Sequence, residues 1–187
     1  MKSEALKRIP GPSSQRIAVR IKPHTESVLR GGHPWLYGDA ITSISRPGAA
    51  GDVAVIFDRK KRFLAAGLFD PQSPIRVRIL VHRHPEMIDA SLFRNRLATA
   101  NTVRSPLSQT GTNGYRLVYG ANDGFPGLVI DRYDGTYVIK LYTSSWLLHL
   151  PALFTELVNL TGAERVAVRM SRRLQQLPEL LYGLEED

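Results

Sequence analysis

Apolar and polar positions alternate with period two over Arg16 to Ile21, where Ile17, Val19 and Ile21 are interleaved with Arg16, Ala18 and Arg20. That pattern predicts a half-buried strand. A second candidate strand runs through Val53, Val55 and Phe57, and Asp58-Arg59-Lys60-Lys61-Arg62 connects it to Phe63-Leu64-Ala65-Ala66-Gly67, so this stretch reads as a hairpin with a basic tip. Ile75, Val77, Ile79 and Val81 alternate with Arg76 and Arg78, which predicts one apolar face and one arginine-bearing face. Short strands separated by Pro47-Gly48, Gly51-Asp52 and Asp70-Pro71 suggest a small barrel or closed sheet over 15–82. Residues 1–14, with two prolines, a glycine and adjacent serines, read as a loose arm.

The period then changes. Ile88, Leu92, Phe93, Leu97, Ala100 and Val103 recur at helical spacing, predicting a helix from about Asp89 to Arg104 that Ser105-Pro106 ends, followed by a polar loop from Ser108 to Gly114. Past Tyr115 the order is strand, strand, strand, helix, strand: Arg116–Gly120, Leu128–Tyr133, Thr136–Tyr142, a helix through Leu150, Leu153, Phe154, Leu157 and Val158, then Arg165–Met170. Asp134-Gly135 makes the tight turn, Pro151 suits the helix's first turn and Gly162 the position just past its end. The domains expected are an arm at 1–14, a small β domain at 15–84, a connecting helix and loop at 85–114, and an α/β domain at 115–187, an α+β chain overall.

Composition sharpens this in two places. Of the 187 residues 43% are apolar and 22% charged, and no apolar run reaches the roughly 18 to 20 residues that span a bilayer. The amino-terminal residues lack the apolar core of a secretory signal, so a cytoplasmic protein without a membrane is expected. The net charge of +8 is unevenly spread, with 15 Lys/Arg against 6 Asp/Glu in residues 1–84 and 10 against 11 in residues 85–187. A locally basic domain suits a polyanion such as RNA, because neutralising phosphates releases counterions. A solvated basic surface is the plainer alternative.

The candidate RNA-binding set is Arg20, Lys22, Arg30, His33, Arg59, Lys60, Lys61, Arg62, Arg76 and Arg78. His33 stands in Gly31-Gly32-His33-Pro34-Trp35-Leu36-Tyr37, where glycines and aromatics offer backbone hydrogen bonding and stacking. Trp35 itself is expected in the core. Cysteine is absent, and His24, His33, His82 and His84 are too scattered for a metal, so neither a metal site nor a thiol nucleophile is expected. Gly120-Ala121-Asn122-Asp123-Gly124-Phe125-Pro126-Gly127 looks at first like a phosphate cradle. It opens into a strand rather than a helix, however, so it is expected to be a structural turn.

The order of these features resembles a known family. His33-Pro34-Trp35-Leu36-Tyr37-Gly38-Asp39-Ala40-Ile41, then Tyr115-Arg116-Leu117-Val118-Tyr119-Gly120 and Asp123-Gly124-Phe125-Pro126-Gly127-Leu128-Val129-Ile130-Asp131-Arg132-Tyr133, resemble the large-subunit ribosomal RNA methyltransferase I family. The resemblance covers about 16–183 and includes Leu174, Leu177-Pro178 and Leu181-Tyr182-Gly183, similar to the family's lead-in to a further domain. It implies an amino-terminal PUA-like barrel that binds RNA and a central α/β domain. It also implies a carboxy-terminal Rossmann-like domain that holds S-adenosylmethionine and methylates carbon 5 of a cytosine after a thiolate attacks carbon 6.

Neither the glycine-rich cofactor loop nor a cysteine occurs in the chain, so the expectation is an amino-terminal fragment or truncated member without a Rossmann-like domain, cofactor site or catalytic residue. Ribosomal RNA is the expected partner, with a homodimer admitted. A non-enzymatic RNA-binding or ribosome-associated adaptor is the alternative. Arg169-Met170-Ser171-Arg172-Arg173 departs from the family, which is acidic and polar there.

Overall fold

A computed structural model describes residues 6–176, which form two compact units: Gly11–Ile88, and the residues from Asp89 onward together with those before Gly11. Leu177-Pro178 and Leu181-Tyr182-Gly183 lie outside the described residues. Within the stretch expected as a loose arm, Leu6 and Ile9 are buried.

The first unit holds β1 (Ile17–Ile21), α1 (Pro23–Arg30), β2 (Trp35–Tyr37), β3 (Ile41–Ile44), β4 (Val53–Phe57), β5 (Phe63–Phe69) and β6 (Ile75–His82). Its sheet has the order β2-β6-β5-β4-β1-β3, antiparallel except for the parallel pair β1 and β4. The two edge strands are consecutive in the chain, joined only by the 3-10 turn Gly38–Ala40. Flat strands would hold these edges about 24 Å apart at five spacings of about 4.8 Å. Four residue steps from Tyr37 to Ile41 reach no more than about 14 Å. The sheet must therefore curl into an incomplete barrel around Ile17, Val19, Leu29, Leu36, Ile56, Leu64, Phe69, Val77 and Ile79.

Two features of this unit escape the sequence pattern. Helix α1 was not expected, although Pro23 in its first turn, Arg30 in its last and Gly32 at φ 90° beyond its end are ordinary helix punctuation. On β4 the fully buried side chains are Ala54 and Ile56, the alternates of Val53, Val55 and Phe57. Gly67 sits at a bulge where a Cβ would lie 2.1 Å from the Arg78 carbonyl oxygen, so only glycine lets β5 and β6 approach there.

The second unit holds α2 (Ala90–Gln109), β7 (Gly114–Tyr119), β8 (Leu128–Tyr133), β9 (Thr136–Leu141), α3 (Leu150–Thr161), β10 (Arg165–Met170) and the short α4 (Arg172–Gln175). Its sheet order is β10-β9-β8-β7, with β10 parallel to β9 and the rest antiparallel. The strand, strand, strand, helix, strand order is as expected. Helix α2, however, does not stop at Ser105: it runs through Pro106 to Gln109. Proline withdraws the N–H that would bond the Thr102 carbonyl, and the Ser105 hydroxyl donates to that carbonyl instead, at 2.8 Å. Val103, expected on the apolar face, is exposed.

Asp89 caps α2 by accepting from the Ser91 and Leu92 N–H groups at 2.9 and 3.2 Å. Helices α2 and α3 pack together, and Arg94 joins them with a bidentate pair to Glu156 at 2.7 and 3.0 Å. The guanidinium beside it holds the Glu156 carboxyl below its usual range. Phe93, Phe125, Trp146 and His149 form the aromatic centre of this unit, and the Trp146 indole N–H donates to the Pro126 carbonyl at 2.9 Å.

Candidate nucleic-acid interface

The basic hairpin tip is built around a carboxylate. Asp58 closes β4 and is almost completely buried, and its Oδ1 accepts from the Lys60 and Arg62 N–H groups at 2.9 Å each. Its Oδ2 accepts from Arg62 Nε at 2.9 Å and Arg30 Nη2 at 2.8 Å, while its backbone carbonyl accepts from Arg20 Nη1 at 3.1 Å. Hydrogen bonding from the Arg62 backbone, followed by the Arg62 and Arg30 side chains, holds this carboxyl far below the ordinary carboxylate range. Glu26 on α1 adds a second tie, accepting from the Arg59 N–H at 2.9 Å and lying 3.8 Å from Arg30. Neither Asp58 nor Glu26 was among the residues expected to matter. The available signal was an aspartate opening a five-residue charged turn, where its side chain bonds N–H groups two and four residues on.

This geometry divides the candidate cations. Arg30 and Arg62 share one carboxylate, and Arg20 is spent on a carbonyl and on the Phe57 ring, 5.6 Å away. Arg59, Lys60 and Lys61 are exposed and make no ion pair among the described residues. Lys61 takes the left-handed backbone at φ 62°, which turns the chain tightly at the summit. Six cations thus gather around two carboxylates, and the side chains at the summit face water. Lys22 is also exposed, at the entry to α1.

The other candidates lie elsewhere in the unit. Arg78, expected on an exposed face of β6, is 7% exposed, 3.6 Å from buried Asp70 and within reach of the Ser73 hydroxyl. Both faces of β6 are covered, so alternation there separates residue types without separating inside from outside. Arg76 is half-buried, donates to the Pro71 carbonyl and borders a cleft of about 390 Å³ beside edge strand β3, lined by Ile41, Ser43, Pro47 and Phe69. His33 lies edge-on to Trp35 at 5.6 Å, and its Nδ1 accepts from the Trp35 N–H at 3.3 Å. Trp35 does not plug the core: it is 38% exposed, and Leu36 fills the barrel instead. On a three-residue edge strand alternate side chains must point outward, and tryptophan occupies that phase.

The glycine-dense segment of the second unit is a turn. Gly120–Asp123 forms a 3-10 helix, Gly124 and Gly127 take φ 79° and 87°, and the chain enters β8 at Leu128. Asp123 receives Arg104 Nη1 and Nη2 at 2.7 Å each and the Tyr119 N–H at 2.6 Å, while Arg96 Nη1 donates to the Gly124 carbonyl at 2.5 Å. These groups bond one another and tie the turn to α2. No group of three or more metal-ligating side chains occurs among the described residues, and none of their helices is long and apolar enough to cross a membrane.

Against known proteins, residues 19–82 match the model of a PUA-like domain. The chain is 40% identical over 172 residues to a ribosomal RNA large subunit methyltransferase of Deinococcus radiodurans, covering 89% of this chain and 42% of that protein. It is 31% identical over 176 residues to ribosomal RNA large subunit methyltransferase I of Aliivibrio fischeri, covering 90% and 44%, and 34% identical over 183 residues to that of Escherichia coli, covering 90% and 46%. The chain thus spans less than half the length of these relatives. A solved structure from Streptococcus mutans, described as a SAM-dependent methyltransferase, superposes with TM-score 0.69 at 15% identity, covering 81% of this chain and 40% of that one. At that identity the likeness is one of fold.

Proposed function

The chain belongs to the ribosomal RNA large subunit methyltransferase I family, and from that premise we propose that it is the RNA-holding amino-terminal portion of a cytoplasmic S-adenosylmethionine-dependent enzyme. The enzyme would act on carbon 5 of a cytosine in ribosomal RNA. The observation that carries the RNA-holding role is the hairpin summit, where buried Asp58 and Glu26 brace a turn whose Arg59, Lys60 and Lys61 project into water. Cations held on a rigid turn meet phosphates with less loss of conformational freedom than cations on a loose loop. Lys22, which follows the end of β1 alongside the end of β4, extends the surface.

In this reading the 187 residues position RNA, and cofactor binding and methyl transfer belong to a part of the family protein outside them. Titration calorimetry of this chain with S-adenosylmethionine is expected to give no binding heat, and micromolar affinity would overturn that assignment. For RNA, replacing Arg59, Lys60 and Lys61 together by glutamate is expected to lower affinity. The slope of log affinity against log salt should fall by about two to three, at roughly 0.7 to 0.9 for each phosphate that is no longer neutralised. An unchanged slope would remove the summit from the interface.

A further inference from the structure

The second unit carries a sheet face that the charge balance of its sequence conceals. One side of the sheet bears Leu128, Ile130, Ile139 and Leu141, all inaccessible to water. On the other side, register places Tyr119, Val129, Lys140 and Arg169 in one row across all four strands, about 14 Å from end to end at three strand spacings. Arg116 joins this face because β7 has a register shift between Arg116 and Val118. Without it, residues 116 and 119 would point to opposite faces; with it, the Arg116 guanidinium lies over the Tyr119 ring at 5.3 Å. Lys140 lies over the Tyr142 ring at 5.0 Å. Tyr119 and Tyr142 are 54% and 46% exposed.

We infer that this open sheet face is a second RNA-contacting surface, on which unpaired bases stack on Tyr119 and Tyr142 while Arg116, Lys140 and Arg169 meet the flanking phosphates. The inference rests on the RNA-holding reading above and adds where single-stranded RNA is gripped. Its chemistry favours single strands: stacking needs bases free of a helix, and an aromatic ring with a cation over one face keeps the other face open. Charge complementarity points the same way. Asp131, which pairs with Arg116 at 2.8 Å, is the one carboxylate among the cross-strand partners described on this face, whereas Lys140 and Arg169 have no carboxylate partner among the described residues.

The test measures fluorescence anisotropy of the 187-residue chain with a labelled single strand of about ten nucleotides, within the usual site size, and with a blunt RNA duplex. Tyr119→Ala with Tyr142→Ala is expected to weaken single-strand binding about tenfold or more, the loss of base–aromatic stacking, and to leave duplex binding within about twofold. Tyr119→Phe with Tyr142→Phe should restore single-strand affinity, since phenylalanine keeps the ring. Thermal melting of each variant checks that the exposed substitutions leave the fold intact. Full single-strand affinity in the alanine variant, while the Arg59, Lys60 and Lys61 reversal still weakens binding, overturns this inference alone. Failure of the unaltered chain to bind either RNA overturns the underlying reading as well. A change in self-association, seen by sedimentation, without loss of RNA affinity would assign the face to protein and likewise overturn it.

Discussion

The hairpin tip of the first unit and the glycine-dense turn of the second are made from the same parts. Each has a turn closed by an aspartate that accepts backbone N–H groups and guanidinium donors, Asp58 in one and Asp123 in the other. They differ in stoichiometry. At Asp123 both carboxylate oxygens take the single guanidinium of Arg104, and the turn is closed upon itself. At Asp58 two arginines share one carboxylate and three further cations stand beyond it, so the carboxylate braces positive charge without neutralising it. A run of turn residues and charges therefore announces a binding surface only when the cations outnumber the groups that can hold them.

The largest expected effects break the closed turn. Asp123→Ala strands the Arg104 guanidinium, whose side chain is only 16% exposed, and leaves the Tyr119 N–H without its acceptor. A loss of about 3 kcal/mol or more is expected, read as a lower urea midpoint. Arg78→Ala in the first unit should cost about 3 kcal/mol by removing the buried guanidinium that faces the buried Asp70 carboxylate at 3.6 Å. An unaltered denaturation midpoint in either variant would break the comparison between spent and available cations.

Asp58 sharpens the same comparison through pH. Its folded-state pKa lies below the ordinary value of 3.8, so its contribution to stability is fully present above about pH 4 and is lost as pH falls toward the folded value. Asp58→Asn should flatten the acid limb of the stability profile below about pH 4, followed by circular dichroism. It should also weaken RNA binding modestly, by loosening the summit. The smallest effect belongs to the summit itself: Lys60→Ala should change stability by no more than about 0.5 kcal/mol while lowering the salt slope by roughly 0.7 to 0.9. A destabilised Lys60→Ala variant would mean that the summit lysine is structural.

What could be read from the chain by itself was local chemistry. Period-two runs located β1 and β6, the flanking turn cluster and Asp134-Gly135 placed β8 and β9, Pro151 and Gly162 bounded α3, and Asp-Gly and Pro-Gly pairs identified the turn before β8, because each depends on neighbours within a few residues. Pro106 shows how far local rules reach: the broken hydrogen bond was foreseeable, but its repair by Ser105 let the helix continue. Tertiary structure alone decided which side chains face water. Curling of the first sheet buried Arg78 against Asp70 and left Trp35 at the surface. A one-residue register shift in β7 brought Arg116 and Tyr119 to the same face. Exposure depends on partners distant in sequence, and a single extra residue in a strand reverses the phase on which any period-two reading depends.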